Sequence, residues 1–196
     1  MSHPHTNSDG KDLAQLLKFH RFDDKFLQTR KVFLWGMVND HSARHVIDRL
    51  LYLDAEAPGE EISLFINSPG GYVTAGMAIL DTMNLVSSPV ATYTMGHAAS
   101  MGSIILSAGE KGRRFVTPYA EVMIHQPSGG AQGTASDIEI STEHILRTRQ
   151  IGAQILADNC GHPVEKILKD FNRDYWMNAE ESVAYGIVDG VVSSLS

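Results

Sequence analysis

The sequence predicts an α/β fold with a largely parallel sheet whose units stack as a spiral, and three observations carry that reading. A short apolar run, a turn rich in Gly, Asn or Ser, and an amphipathic stretch recur in this order at intervals of about 30 residues. The runs themselves, Val32-Phe-Leu-Trp35, Ile62-Ser-Leu-Phe-Ile66 and Val90-Ala-Thr-Tyr-Thr94, have the length and apolar content of buried strands. With 196 residues, 43% of them hydrophobic, the chain can bury a core without metals or disulfides. Strand, turn and helix in repetition mean right-handed crossovers between parallel strands.

The elements follow in order. Residues 1–26 are expected to form a divergent, flexible arm, in which residues 1–20 mix His, Asn, Ser, Gly and Lys with one short apolar cluster, Leu13, Leu16 and Leu17, and residues 27–196 a single domain. After the strand at 32–35, Asn39-Asp40 offers capping groups to a helix carrying Val46, Ile47, Leu50, Leu51 and Leu53, which Pro58-Gly59 ends. The second unit is the strand at 62–66, the turn Asn67-Ser-Pro-Gly-Gly71 and a helix at 74–86. The third is the strand at 90–94, a turn through Met95-Gly-His-Ala-Ala-Ser100 and an apolar helix at 101–108. Short β-like runs at 114–116 and 122–124 precede a Gly-rich stretch at 128–133. A long helix at 136–159 stops at Gly161-His162-Pro163. Its stripe of Ile138, Ile145, Ile151 and Ile155 fits either subunit contact or an ordinary core helix. Helices at 164–171 and 179–185 and a strand at 187–192 complete the chain.

Composition excludes several classes of function. Lys and Arg number 16 against 23 Asp and Glu, a formal charge of -7, so the broad basic surface that a nucleic-acid backbone requires is not expected. Cys160 is the single cysteine, which rules out an intrachain disulfide, and no Cys/His cluster at zinc-ligand spacing surrounds it. The polar start lacks the apolar core of a signal peptide, and no segment approaches about 18 uninterrupted apolar residues. The expectation is a cytoplasmic protein with no membrane partner; an organellar matrix or stroma is the alternative, since a removed transit peptide leaves no trace.

Ser100 stands between small residues where a strand turns into a helix, so backbone N–H groups there could stabilise charge developing beside it. Taken alone it reads better as a helix cap. A serine nucleophile needs a base, and the chain has nine histidines. His3, His5 and His20 fall in the arm, His41, His45 and His144 on helix surfaces, His162 in a helix stop, and His97 in the turn itself. His125, at the end of an apolar run and before Gln126-Pro127, is the remaining candidate. For a carboxylate to orient it, Asp137, Asp170 and Asp174 are available; the first two have structural roles as a helix cap and within a helix. Residues 67–71 lack the spacing of a nucleotide-binding loop. They suit an oxyanion donor better, with the Gly71 and Met101 N–H groups as the pair.

These residues lie in four blocks: Phe65-Ile-Asn-Ser-Pro-Gly-Gly71, Met95-Gly-His-Ala-Ala-Ser-Met-Gly102, Met123-Ile-His-Gln-Pro127 and Asn172-Arg-Asp-Tyr-Trp-Met177. In order and spacing they resemble the signature blocks of the ClpP family, the proteolytic subunits of ATP-dependent Clp proteases, over residues 27–192. The resemblance implies Ser100 as nucleophile, His125 as base, Asp174 as the acid, and Gly71 and Met101 as oxyanion donors. It also implies a ClpP/crotonase-type spiral of ββα units with a protruding helix-strand handle at about 128–159. It implies stacked heptameric rings forming a tetradecamer, unfolded polypeptide substrates, and a hexameric Clp ATPase that uses the ATP, this subunit holding no cofactor or metal. Residues 19–29 depart from the family pattern and lack its Gly-Glu-Arg turn, which suits a secondary isoform assembling in mixed rings. A crotonase-type acyl-CoA enzyme, a noncatalytic ring component and a signal-peptide peptidase of the same superfold are the rival readings.

Overall fold

The computed structural model describes residues 22–194. The elements are β1 (Lys31–Trp35), α1 (Asp40–Glu56), β2 (Ile62–Ser68), α2 (Val73–Leu85), β3 (Val90–Ala99), α3 (Met101–Ser107), β4 (Arg114–Val116) and β5 (Glu121–Ile124). They continue with α4 (Ala135–Cys160), α5 (Val164–Asp170), β6 (Tyr175–Met177), α6 (Ala179–Tyr185) and β7 (Gly190–Val191). Strands run in the order β1-β2-β3-β4-β7, all parallel. β5 pairs with the far end of β3 in parallel and with β6 in antiparallel fashion. The spiral α/β architecture expected from the repeats is the one observed.

Alternation along the strands decides what each face does. Val32 and Leu34 of β1, with Leu64 and Ile66 of β2, point into one core with Val46 and Leu50 of α1 and Ile79 of α2. On the opposite face, register aligns Phe33, Phe65, Tyr93 and Phe115 in one row across β1 to β4. Their rings follow one another at centroid distances of 5.3, 4.9 and 5.1 Å.

Local chemistry sets the helix ends. Asn39 and Ser42 close a capping box on α1, and Thr134 and Asp137 close one on α4, so Asp137 reinforces the cap from the third helical position. At the other end of α4, Gly161 takes the left-handed conformation at φ 73° that ends the helix. Arg114 reaches into the same region. Its guanidinium donates to Asp189 Oδ2 and Oδ1 at 2.9 and 2.6 Å and to the Asn159 carbonyl at 2.8 Å, joining β4 to the approach of β7 and the last turn of α4.

Several expectations change. Residues 22–28 are helical and Phe26 packs edge-on to Phe33 at 4.8 Å, so an arm reaching to residue 26 is too long; residues 1–21 lie outside those described. β3 extends to Ala99, because Gly96 at φ 74° absorbs an irregularity and the strand resumes against β5. The isoleucine stripe on α4 is not its buried face: Gly152, Ala153, Leu156 and Ala157 are buried, while Ile138 and Ile151 are exposed. Residues 128–132 form no strand within the chain; Gly129 lies against the side chain of Ile145 instead.

Candidate active site

Three adjacent strands bring the candidate residues together. β3 and β5 pair in parallel with Ala99 opposite Met123, and the Ser100 N–H donates to the Met123 carbonyl at 2.9 Å. β5 and β6 pair in antiparallel fashion with Ile124 opposite Tyr175. One step further along that register sets His125 opposite Asp174. Ser100, His125 and Asp174 thus stand at neighbouring strand ends, although 74 positions of sequence separate the first from the last.

Their side chains bond in series. His125 Nε2 lies 2.9 Å from Ser100 Oγ and His125 Nδ1 lies 2.9 Å from Asp174 Oδ1. An ionised carboxylate can only accept, so Nδ1 carries the proton and donates to Asp174. This leaves Nε2 as the acceptor for the Ser100 hydroxyl proton. Ser100 sits at the cap position of α3, yet its side chain makes no capping bond. Its backbone holds φ 55° and ψ -124°, an unfavourable conformation for a residue with a Cβ. Such strain at a strand-to-helix corner projects the hydroxyl away from the backbone.

The turn after β2 packs directly on this corner. A Cβ built on Gly70 would lie 2.6 Å from Ser100 Cβ and 2.8 Å from Met101 N, so only glycine allows that approach. Gly71, at φ 154°, is confined by the Val38 carbonyl, 2.2 Å from where its Cβ would be. Val38 N–H donates to the Gly70 carbonyl and Tyr72 N–H to the Val38 carbonyl, while Gly70 N–H donates to Ser68 Oγ. Among the described residues, this leaves the Gly71 N–H without an acceptor. The Met101 N–H, first of its helix, has none either.

A small hollow beside Ser100 and His125 is lined by Val73, Met77, Ile104 and Phe171. It shares Val73, Met77, Pro127 and Thr148 with a larger, mainly apolar cavity of about 440 Å³ between α2 and α4. The arrangement therefore offers a hydroxyl with a proton acceptor, unengaged N–H donors nearby and an apolar recess beside them.

The other sequence candidates lie elsewhere. Asp170 accepts from Lys166 and from the Tyr185 hydroxyl; burial would raise its carboxyl, but these bonds outweigh burial and hold it below its ordinary value. His97 belongs to β3, opposite Glu121, rather than to a turn. His162 packs edge-on to Tyr185. Burial raises the Cys160 thiol to about 11, so it is chemically quiet. Sequence reasoning gave no role to Gln126, Asn172 or Arg149, which bond to one another beside the site. Only block positions hint at one: Gln126 stands next to His125, and Asn172 two residues before Asp174.

A serine, an imidazole and a carboxylate in series beside unengaged amides, on a spiral α/β scaffold, have the layout of a serine-dependent hydrolase. The model of the Clp protease family matches residues 17–194, and the chain belongs to that family, the ClpP-type serine peptidases. A peptidase role follows from that membership.

Proposed function

We propose that the chain is a serine endopeptidase subunit in which Ser100, His125 and Asp174 form the catalytic triad. The observation that carries this is the unbroken hydrogen-bond series from hydroxyl to carboxylate. In the first step His125 Nε2 takes the Ser100 proton as Oγ bonds to a peptide carbonyl carbon, and Asp174 stabilises the resulting imidazolium. The carbonyl oxygen, now an oxyanion, accepts from the Gly71 and Met101 N–H groups. Collapse of the intermediate expels the amine, which takes its proton from His125. Water, deprotonated by His125, then attacks the acyl-serine ester and Ser100 recovers its proton. Nothing in these steps requires a metal or a cofactor of this subunit.

The assembly belongs to the same reading. Unfolded polypeptides would be cut within two stacked heptameric rings, a tetradecamer, with the ring-to-ring contact made through the handle at 128–159. The exposed Ile138, Ile140 and Leu146 on the first half of α4 support such a contact. A hexameric Clp ATPase would feed the chamber and spend the ATP. The departure at residues 19–29 supports mixed rings with a second isoform, and the quiet lone thiol suits a cytoplasmic setting.

Ser100→Ala tests the chemistry. Turnover of a small fluorogenic peptide should fall on the order of a millionfold, and labelling by a serine-directed phosphonate should vanish. A wild-type rate in that variant would end the assignment.

A further inference from the structure

His125 and Asp174 are not held by β5 and β6 alone. Next to His125, the Gln126 N–H donates to the Phe171 carbonyl at 2.6 Å. The Gln126 side chain then works in both directions. Its Nε2 donates to the Asn172 carbonyl at 3.0 Å, two residues before Asp174, and its Oε1 accepts from Arg149 Nε at 3.0 Å. The partners dictate the amide orientation: a carbonyl can only accept and a guanidinium can only donate. The Arg149 guanidinium also lies over the Phe171 ring, 5.6 Å from its centroid. One side chain of α4 therefore braces both segments that carry the imidazole and the carboxylate, without reaching either group. The neighbours of Arg149 on α4, Thr148 and Gly152, line the hollow at Ser100, so the same stretch of helix shapes the recess and braces its rim.

We infer that Arg149 is a positioning residue: acting through Gln126, it sets the approach of His125 to Asp174 and makes that approach depend on how α4 is seated. The inference rests on the triad reading above. Removing the brace lets the loop at 171–174 slide against residues 125–127, and displacement of reacting groups by about 1 Å can cost up to about a hundredfold in rate. The loss falls on kcat, because the recess that binds substrate stays lined by the same side chains.

The test uses the full chain. Arg149→Met keeps the stem over Phe171 and removes the Nε–H, Arg149→Lys keeps a cation, and Gln126→Met cuts the relay at its centre. With kcat counted per phosphonate-titrated site, Arg149→Met and Gln126→Met should each lose about 10- to 100-fold with KM within about twofold. Arg149→Lys should recover part of the loss. The double variant should be no worse than either single one, because both break the same link. A crystal structure of Arg149→Met should show His125 Nδ1 and Asp174 Oδ1 drawn apart from their 2.9 Å spacing. Wild-type kcat in either folded variant, multiplicative losses in the double variant, or an unchanged spacing would overturn the inference. Ser100→Ala is assayed alongside: if it stays active the triad reading fails, whereas an inactive Ser100→Ala with a fully active Arg149→Met removes only the positioning role.

Discussion

Asp174 and Asp189 both answer a cation-capable side chain at the end of a strand, and they do so in opposite ways. Asp189 accepts from the Arg114 backbone N–H, Nε and Nη2, and the two side chains are only 23% and 6% exposed. Asp174 accepts one bond, from His125, and its side chain is 61% exposed. A guanidinium offers only donors, whereas an imidazole can donate at one nitrogen and accept at the other. The contrast separates two uses of one carboxylate. Multiple bonds to a dehydrated guanidinium hold the fold together; a single bond to a half-open imidazole leaves a proton free to move.

The largest effect that could break this contrast is on activity. Asp174→Asn should lower kcat by about 10³- to 10⁴-fold, because an amide no longer selects the tautomer that leaves Nε2 free to accept. The urea midpoint should barely move, since a substitution at so exposed a site usually costs within about 0.5 kcal/mol. Peptidase kinetics and urea unfolding on the same preparation check both halves. Near-normal turnover would mean that Asp174 does not orient His125.

Reading the sequence went furthest where structure is local. The helices α1 and α4 are visible because their caps and stops, Asn39, Asp137 and Gly161, lie within a few residues of what they cap. In sequence β3 looks short because Gly96 looks like a turn; only pairing with β5 shows that the strand resumes. The three-residue β6, between the helices predicted at 164–171 and 179–185, is too short to carry a strand signal of its own, and without it the register that sets Asp174 opposite His125 is hidden. Spacing alone therefore left Asp137, Asp170 and Asp174 in competition, and only the resemblance singled out Asp174. Gln126 and Arg149 lie 23 positions apart on different elements, and nothing local to either announces the bond between them.

Arg114 supplies the counterpart to the Asp174 test. Arg114→Met keeps some of the stem but leaves Asp189 unpaired and the Asn159 carbonyl without its donor. Stripping one partner from a largely buried ion pair costs about 3–5 kcal/mol, so the urea midpoint should fall sharply. Turnover per folded molecule should stay near normal, because Arg114 joins β4 and the end of α4, away from Ser100. A variant that kept its stability but lost turnover would invert the contrast between the two aspartates.

The smallest effect is that of pH on the same pair. Burial by itself would raise the Asp189 carboxyl, but the Arg114 hydrogen bonds and charge outweigh it and hold the group below its ordinary 3.8. The folded protein thus binds fewer protons at Asp189 than the unfolded chain does in that range. Its contribution to stability is fully present above the unfolded value and is lost as pH falls through the lower folded one. Asp170, held down by Lys166 and Tyr185, adds a contribution of the same sign. Urea midpoints measured from pH 6 down to 2 should decline more steeply for the wild type than for Asp189→Asn. The variant starts less stable and converges on the wild type in acid, where the wild-type carboxyl is also neutral. Parallel curves would show that Asp189 titrates alike in both states, so that the Arg114 pair adds packing and hydrogen bonds but no charge-dependent stability.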